Sequence, residues 1–115
     1  MFSAILGAAM LLNVAATQLD AQAQYEDIGC YRITTYDVCC NEPHGRQSAS
    51  GKRLEYGDVA MNGVPFGTTI CIDGEEFTVA DRCGVDNTVD IFIENDTGVC
   101  QCNTLEYKEV FIKHD

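Results

Sequence analysis

Thr68-Thr69-Ile70-Cys71-Ile72-Asp73-Gly74-Glu75-Glu76-Phe77-Thr78-Val79-Ala80 decides the fold class. Two runs rich in β-branched and aromatic residues, Thr68–Ile72 and Glu76–Ala80, flank Asp73-Gly74, a pair that favours the positive φ angles of a tight hairpin. The same punctuation recurs on both sides. Tyr31–Tyr36 is β-branched and aromatic, and Asp58–Met61 is a short apolar stretch ending at the turn signal Asn62-Gly63. Thr88–Ile93 alternates, with Val89, Ile91 and Ile93 on one face and Asp90 and Phe92 on the other, and Lys108–Lys113 alternates again. Pro65 fits a turn between strands. Only Val99–Tyr107 leaves room for a helical turn, and it has no helical apolar face. The expectation is an all-β domain of about six short strands, closed as a small barrel that leaves no long edge.

Outward from that core, the first residues read differently. Ala4–Ala16 is an apolar run too short to cross a bilayer, which needs about 20 residues. Ala21 and Ala23 form an A-x-A pattern, so residues 1–23 are expected to be a signal peptide, although Met1-Phe2-Ser3 has no basic side chain. Residues 24–115 would form the single mature domain, holding every cysteine and every charged side chain except Asp20. Seven cysteines among 115 residues point the same way, because disulfides persist in oxidising compartments. A secreted or cell-envelope location follows, with no membrane attachment after cleavage.

Charge narrows the partners. Eighteen acidic side chains against seven Lys and Arg give a net charge of −11, which argues against nucleic acid and anionic membrane surfaces. The self-repulsion of such a chain suits a soluble monomer.

The cysteines stand at Cys30, Cys39, Cys40, Cys71, Cys83, Cys100 and Cys102, without the C-x₂₋₄-C pairs of structural zinc sites. Disulfides are therefore expected, three bridges leaving one thiol, with connectivity open. No metal and no cofactor is expected. There is no G-x-S-x-G elbow, H-E-x-x-H pair or phosphate-binding glycine loop. His44 and His114 lie in polar stretches and make weak partners for a cysteine nucleophile. The chemistry candidates are carboxylates. Asp81, in Val79-Ala80-Asp81-Arg82-Cys83-Gly84, ends one strand, and Asp90 enters the next. Two such acids can meet across a barrel mouth, where burial beside a like charge raises a carboxyl pKa as a general acid requires. The competing reading is structural: Asp81 caps a turn or pairs with Arg82, and Asp90 bonds loop amides.

The order Thr34-Thr35-Tyr36, Cys39-Cys40, Ser48-Ala49-Ser50-Gly51, Val64-Pro65-Phe66-Gly67-Thr68, Val79–Gly84, Val89-Asp90-Ile91-Phe92 and a closing Lys108–Ile112 strand resembles the 3D (three-aspartate) domain. The same elements are similar to those of rare lipoprotein A and expansin-like barrels. The resemblance spans about Ile33 to Ile112. It implies a six-stranded double-psi β-barrel related to that of membrane-bound lytic transglycosylase A, with peptidoglycan or another wall glycan as partner. It further implies Asp81 as general acid and then base, and Asp90 orienting the sugar or stabilising oxocarbenium-like charge. The third aspartate falls on Asn62, which carries no charge, and Cys83-Gly84 stands where the family has Gly-Gly. Asn62, Arg82, Tyr36 and Phe66 are the expected substrate-binding residues, the two aromatics by stacking on sugar faces. Two other readings share the barrel: a non-catalytic, expansin-like wall-binding or wall-loosening module, and a secreted disulfide-rich interaction protein.

Overall fold

The computed structural model describes residues 22–95 and 97–115. The expected signal peptide thus lies almost wholly outside the described residues. Six strands follow: β1 (Gln24–Tyr36), β2 (Asp58–Ala60), β3 (Thr69–Ile72), β4 (Glu75–Asp81), β5 (Thr88–Phe92) and β6 (Thr104–His114). They close into a barrel in the order β1-β5-β2-β4-β3-β6, and no helix occurs among the described residues. β1 runs parallel to β5 and β2 parallel to β4, while the remaining neighbours are antiparallel. This is a double-psi-like arrangement, and closure removes the unpaired edges that a six-stranded open sheet would expose.

The hairpin in the decisive stretch forms as its chemistry requires. Ile72 pairs with Glu75, and Asp73 (φ 52°) and Gly74 (φ 80°) occupy the two central positions of a turn that needs positive φ at both. β1 is longer than expected because Gln24–Cys30 pairs with β6 despite its polar character, bending at Gly29 (φ 107°), where the register slips by one residue. The segment with room for a helical turn is resolved in favour of strand: Thr104–Tyr107 pairs with Arg32–Thr34, so tertiary pairing overrides a locally ambiguous sequence.

The barrel interior is filled by Ile33, Val59, Ile70, Val79, Val89 and Val110, each at most 1% exposed, with further aliphatics and Phe77 around them. A second cluster forms outside the barrel. Tyr36, Leu54, Ala60, Ala80 and Phe92 are buried together, beneath the long connection between β1 and β2 that supplies Leu54. This explains why β5 buries both faces. Val89 and Ile91 point into the barrel, Phe92 points into the second cluster, and Asp90 is left half-buried beside it. Phe92 also packs edge-on against Tyr36, with ring centroids 5.4 Å apart, and lies under the Arg46 guanidinium. Phe92→Ala is expected to cost about 3–5 kcal/mol in urea unfolding. The slope against denaturant should be unchanged if the barrel itself stays intact.

Two disulfides join the β1–β2 connection to the approach of β6: Cys39–Cys100 and Cys40–Cys102, with Cα atoms 5.2 and 6.5 Å apart. The expected third bridge is not formed. Cys71 is buried in β3, Cys30 is exposed on β1 and Cys83 sits in the β4–β5 turn, so the topology holds the three remaining thiols on separate elements.

Candidate functional site

The site follows from where β1, β4 and β5 end. Side chains two apart along a strand share a face, so Arg32, Thr34 and Tyr36 lie in a row on β1. Parallel pairing sets Thr34 beside Asp90 of β5, and the Thr34 hydroxyl donates to Asp90 Oδ1 at 2.7 Å. Two residues on, the Tyr36 hydroxyl donates to Asp81 Oδ2 at 3.1 Å. Asp81 and Asp90 thereby line one groove of about 400 Å³, together with Arg32, Arg82, Cys83 and the Cys40–Cys102 bridge.

The two carboxylates are held differently. Asp81 is 8% exposed, and three donors use its oxygens: the Ala49 amide at 2.8 Å and the Arg82 amide at 2.9 Å on Oδ1, and Tyr36 on Oδ2. The Ser48-Ala49-Ser50-Gly51 motif is what delivers the first of these. Ser48 and Ser50 bond each other's hydroxyls, the Ser50 amide donates to Ala80 O, and the loop docks on the end of β4. The Pro65–Thr68 turn docks further back on the same strand, Gly67 N donating to Val79 O and Val79 N to Thr68 O. Motifs far apart in sequence therefore converge on β4.

Asp90 is less constrained. Among the described residues its hydrogen bond is the one from Thr34. Burial raises its pKa above the ordinary aspartate value; the Thr34 hydrogen bond and the Arg32 charge pull it back in part, and the Asp81 charge adds to the rise. Tyr36 is pushed up as well, by burial first and then by the Asp81 charge, so its phenol stays protonated and remains a donor. Cys83 is also pushed up by burial; a backbone hydrogen bond from Val85 opposes this, and the charges of Asp90 and Asp86 reinforce it. A thiol in that state is a poor nucleophile.

The other expected site residues fall in three places. Arg82 lines the groove, with its guanidinium 3.8 Å above the Phe66 ring and Nη1 donating to Met61 O at 2.9 Å. Phe66 is 41% exposed and is covered on one face by that guanidinium, so it supports Arg82 beside the groove. Tyr36 contributes its hydroxyl; its ring is buried against Phe92, which leaves no free face for stacking. Asn62 does not line the groove. Its side chain ties the β4–β5 turn, donating to Cys83 O and Asp86 Oδ1 and accepting from Cys83 N.

Two buried aspartates were not legible as such in the sequence. Asp58, on β2, accepts from the Glu55 amide and pairs with Lys52. Asp37 is fully buried; burial alone would raise its pKa, but hydrogen bonds from the Cys40 amide, Asn95, and the Gln101 and Cys39 amides outweigh that and lower it. Its carboxylate lies within 4.8 Å of the sulfurs of each bridge, a grouping of metal-ligand type. With the sulfurs bonded in pairs, the thiolates that a soft metal needs are not on offer. The charge of Asp37 instead fastens the two bridged segments together through its amide donors.

Fold and site define a closed, disulfide-stapled β-barrel with two unlike carboxylates on a polar groove. Comparisons with protein-family models, with curated proteins and with solved structures find no match.

Proposed function

We propose that the protein is a secreted, cell-wall-active member of the three-aspartate type that cleaves peptidoglycan glycan strands as a lytic transglycosylase. The observation that carries this reading is the pair of aspartates on one groove in unlike environments. The disulfides are compatible with an extracellular location.

In this reading the roles are the reverse of the family-based expectation. An acid that must give up and then retake a proton needs a raised pKa and an oxygen not already committed to donors; the Asp90 pKa is raised by burial, and its carboxylate accepts one hydrogen bond where that of Asp81 accepts three. Protonated Asp90 gives its proton to the glycosidic oxygen as the C1–O bond breaks. The 6-hydroxyl of the same sugar then bonds to C1, and its proton returns to Asp90, leaving a 1,6-anhydro ring. One residue serves twice because no water has to be activated on the opposite face. Asp81, fixed by Tyr36 and two amides, faces the positive charge that develops at C1.

Asn62 favours a second reading. The third acidic position carries no charge and its side chain is spent on the turn, which suits a module that binds glycan without cutting it. Mass spectrometry of purified peptidoglycan after incubation with the protein separates the two. Anhydromuramyl ends that are absent from a heat-inactivated control support the enzyme. Glycan binding without such ends, from folded and disulfide-bonded protein, supports the binding module. Neither binding nor products overturns both readings.

A further inference from the structure

Seven cations serve eighteen acids in this chain, and most of them are paired. Arg46 meets Glu94, Lys52 meets Glu55 and Asp58, Lys108 meets Asp73 and Glu106, and Lys113 meets Glu76. Among the described residues Arg32, Arg53 and Arg82 form no ion pair within 4.0 Å, and of these Arg32 and Arg82 line the groove. Arg32 acts electrostatically on Asp90, and Arg82 is held flat by the Phe66 ring and by Met61 O. That stacking uses one face of the guanidinium and one of its five N–H groups, and it fixes the plane of the rest. An acidic protein that keeps two unpaired guanidinium groups on a groove lined by two aspartates has a built place for an anion, because planar guanidinium groups match a carboxylate's two oxygens.

Resting on the reading of the groove as a glycan site, we propose that Arg32 and Arg82 form a carboxylate-recognising subsite. The ligand is then a saccharide bearing an acid group, with its neutral ring against Asp81 and Asp90 and its carboxylate toward the arginines. The pair selects acidic over neutral glycans, and it also offsets the repulsion that a net charge of −11 would exert on an anionic ligand.

The test uses calorimetric binding at low ionic strength with four probes. Peptide-stripped peptidoglycan strands carry a free lactyl carboxylate on the sugar. The same strands amidated with carbodiimide and methylamine lack it. Muropeptides keep carboxylates only on the stem peptide, and chitotetraose has none. Stripped strands are expected to bind about tenfold tighter than amidated ones, a preference that added salt erodes. Arg82→Gln and Arg32→Gln are each expected to reduce the ratio of stripped-strand to amidated-strand affinity toward one. Using both variants keeps the result readable if loss of the Phe66 stack disturbs the turn. Muropeptides binding as tightly as stripped strands would assign the carboxylate to the peptide and keep the subsite. Equal affinity for stripped and amidated strands overturns the subsite and leaves the glycan reading standing. No binding to any of the four overturns the glycan reading itself.

Discussion

Asp90→Asn is expected to reduce anhydromuramyl product formation by about 10²- to 10⁴-fold, the usual contribution of a positioned acid–base group. The same substitution is expected to raise the melting temperature at neutral pH. Both effects come from one cause. Burial raises the Asp90 pKa in the folded protein above its value in the unfolded chain. Its contribution to stability is therefore fully present below the ordinary aspartate range and is lost as pH rises through the raised folded value. The neutral amide of Asn keeps the Thr34 hydrogen bond and never ionises, so its advantage over wild type should grow across that window and then level off. On the proposed mechanism, activity of the wild type should fall through the same window, because that step requires Asp90 protonated. Asp81→Asn is expected to behave differently: it weakens the bonds from the Ala49 and Arg82 amides and should lower the melting temperature. Matched pH profiles of product yield and thermal unfolding check both. A gain in stability with full activity would remove Asp90 from the chemistry.

The second large effect concerns the bridges. Cys39–Cys100 and Cys40–Cys102 close loops of nearly the same length, with sequence separations of 61 and 62. Loop-closure entropy gives about 4 kcal/mol for a bridge of that span. The second bridge adds little to this, because once the first is made only a few residues remain to be constrained. Replacing Cys40 and Cys102 together by Ser should therefore cost on the order of 1 kcal/mol. Replacing all four cysteines should cost about 4 kcal/mol or more. Guanidinium unfolding of the two variants beside wild type measures the difference; equal losses at each step would show that strain or packing outweighs chain entropy. Buried Cys71, its pKa pushed up to about 11 by burial and the charge of Glu76, should stay unmodified by thiol reagents until the barrel opens.

The sequence made the strands legible wherever local chemistry and tertiary pairing agree. Asp73-Gly74 is such a case, since the turn residues and the flanking alternation ask for the same hairpin. Thr104–Tyr107 is the opposite case: nothing in Thr-Leu-Glu-Tyr prefers strand, and only the presence of Arg32–Thr34 alongside makes it one. The site was legible as Asp81 and Asp90 because both adjoin strong strand patterns. The difference between them was not, because it depends on the Ala49 amide, 32 residues from Asp81, and on the Tyr36 hydroxyl, 45 residues away. Asp37 escaped for a similar reason. A polar residue next to a cysteine pair reads as surface loop until Asn95 and Gln101 close over it.

The strand order also bears on how the molecule comes to exist. β1 lies between β5 and β6, and β6 also supplies the outer neighbour of β3. A nascent chain that has reached residue 95 holds five of the six strands, yet β1 and β3 each still show an open edge, and Cys39 and Cys40 lack their native partners Cys100 and Cys102. Such a chain can neither close nor staple itself, and its exposed edges are templates for pairing with other copies. Folding must wait for the last strand, so closure of the barrel and oxidation of its bridges are coupled to one late event, the arrival of β6.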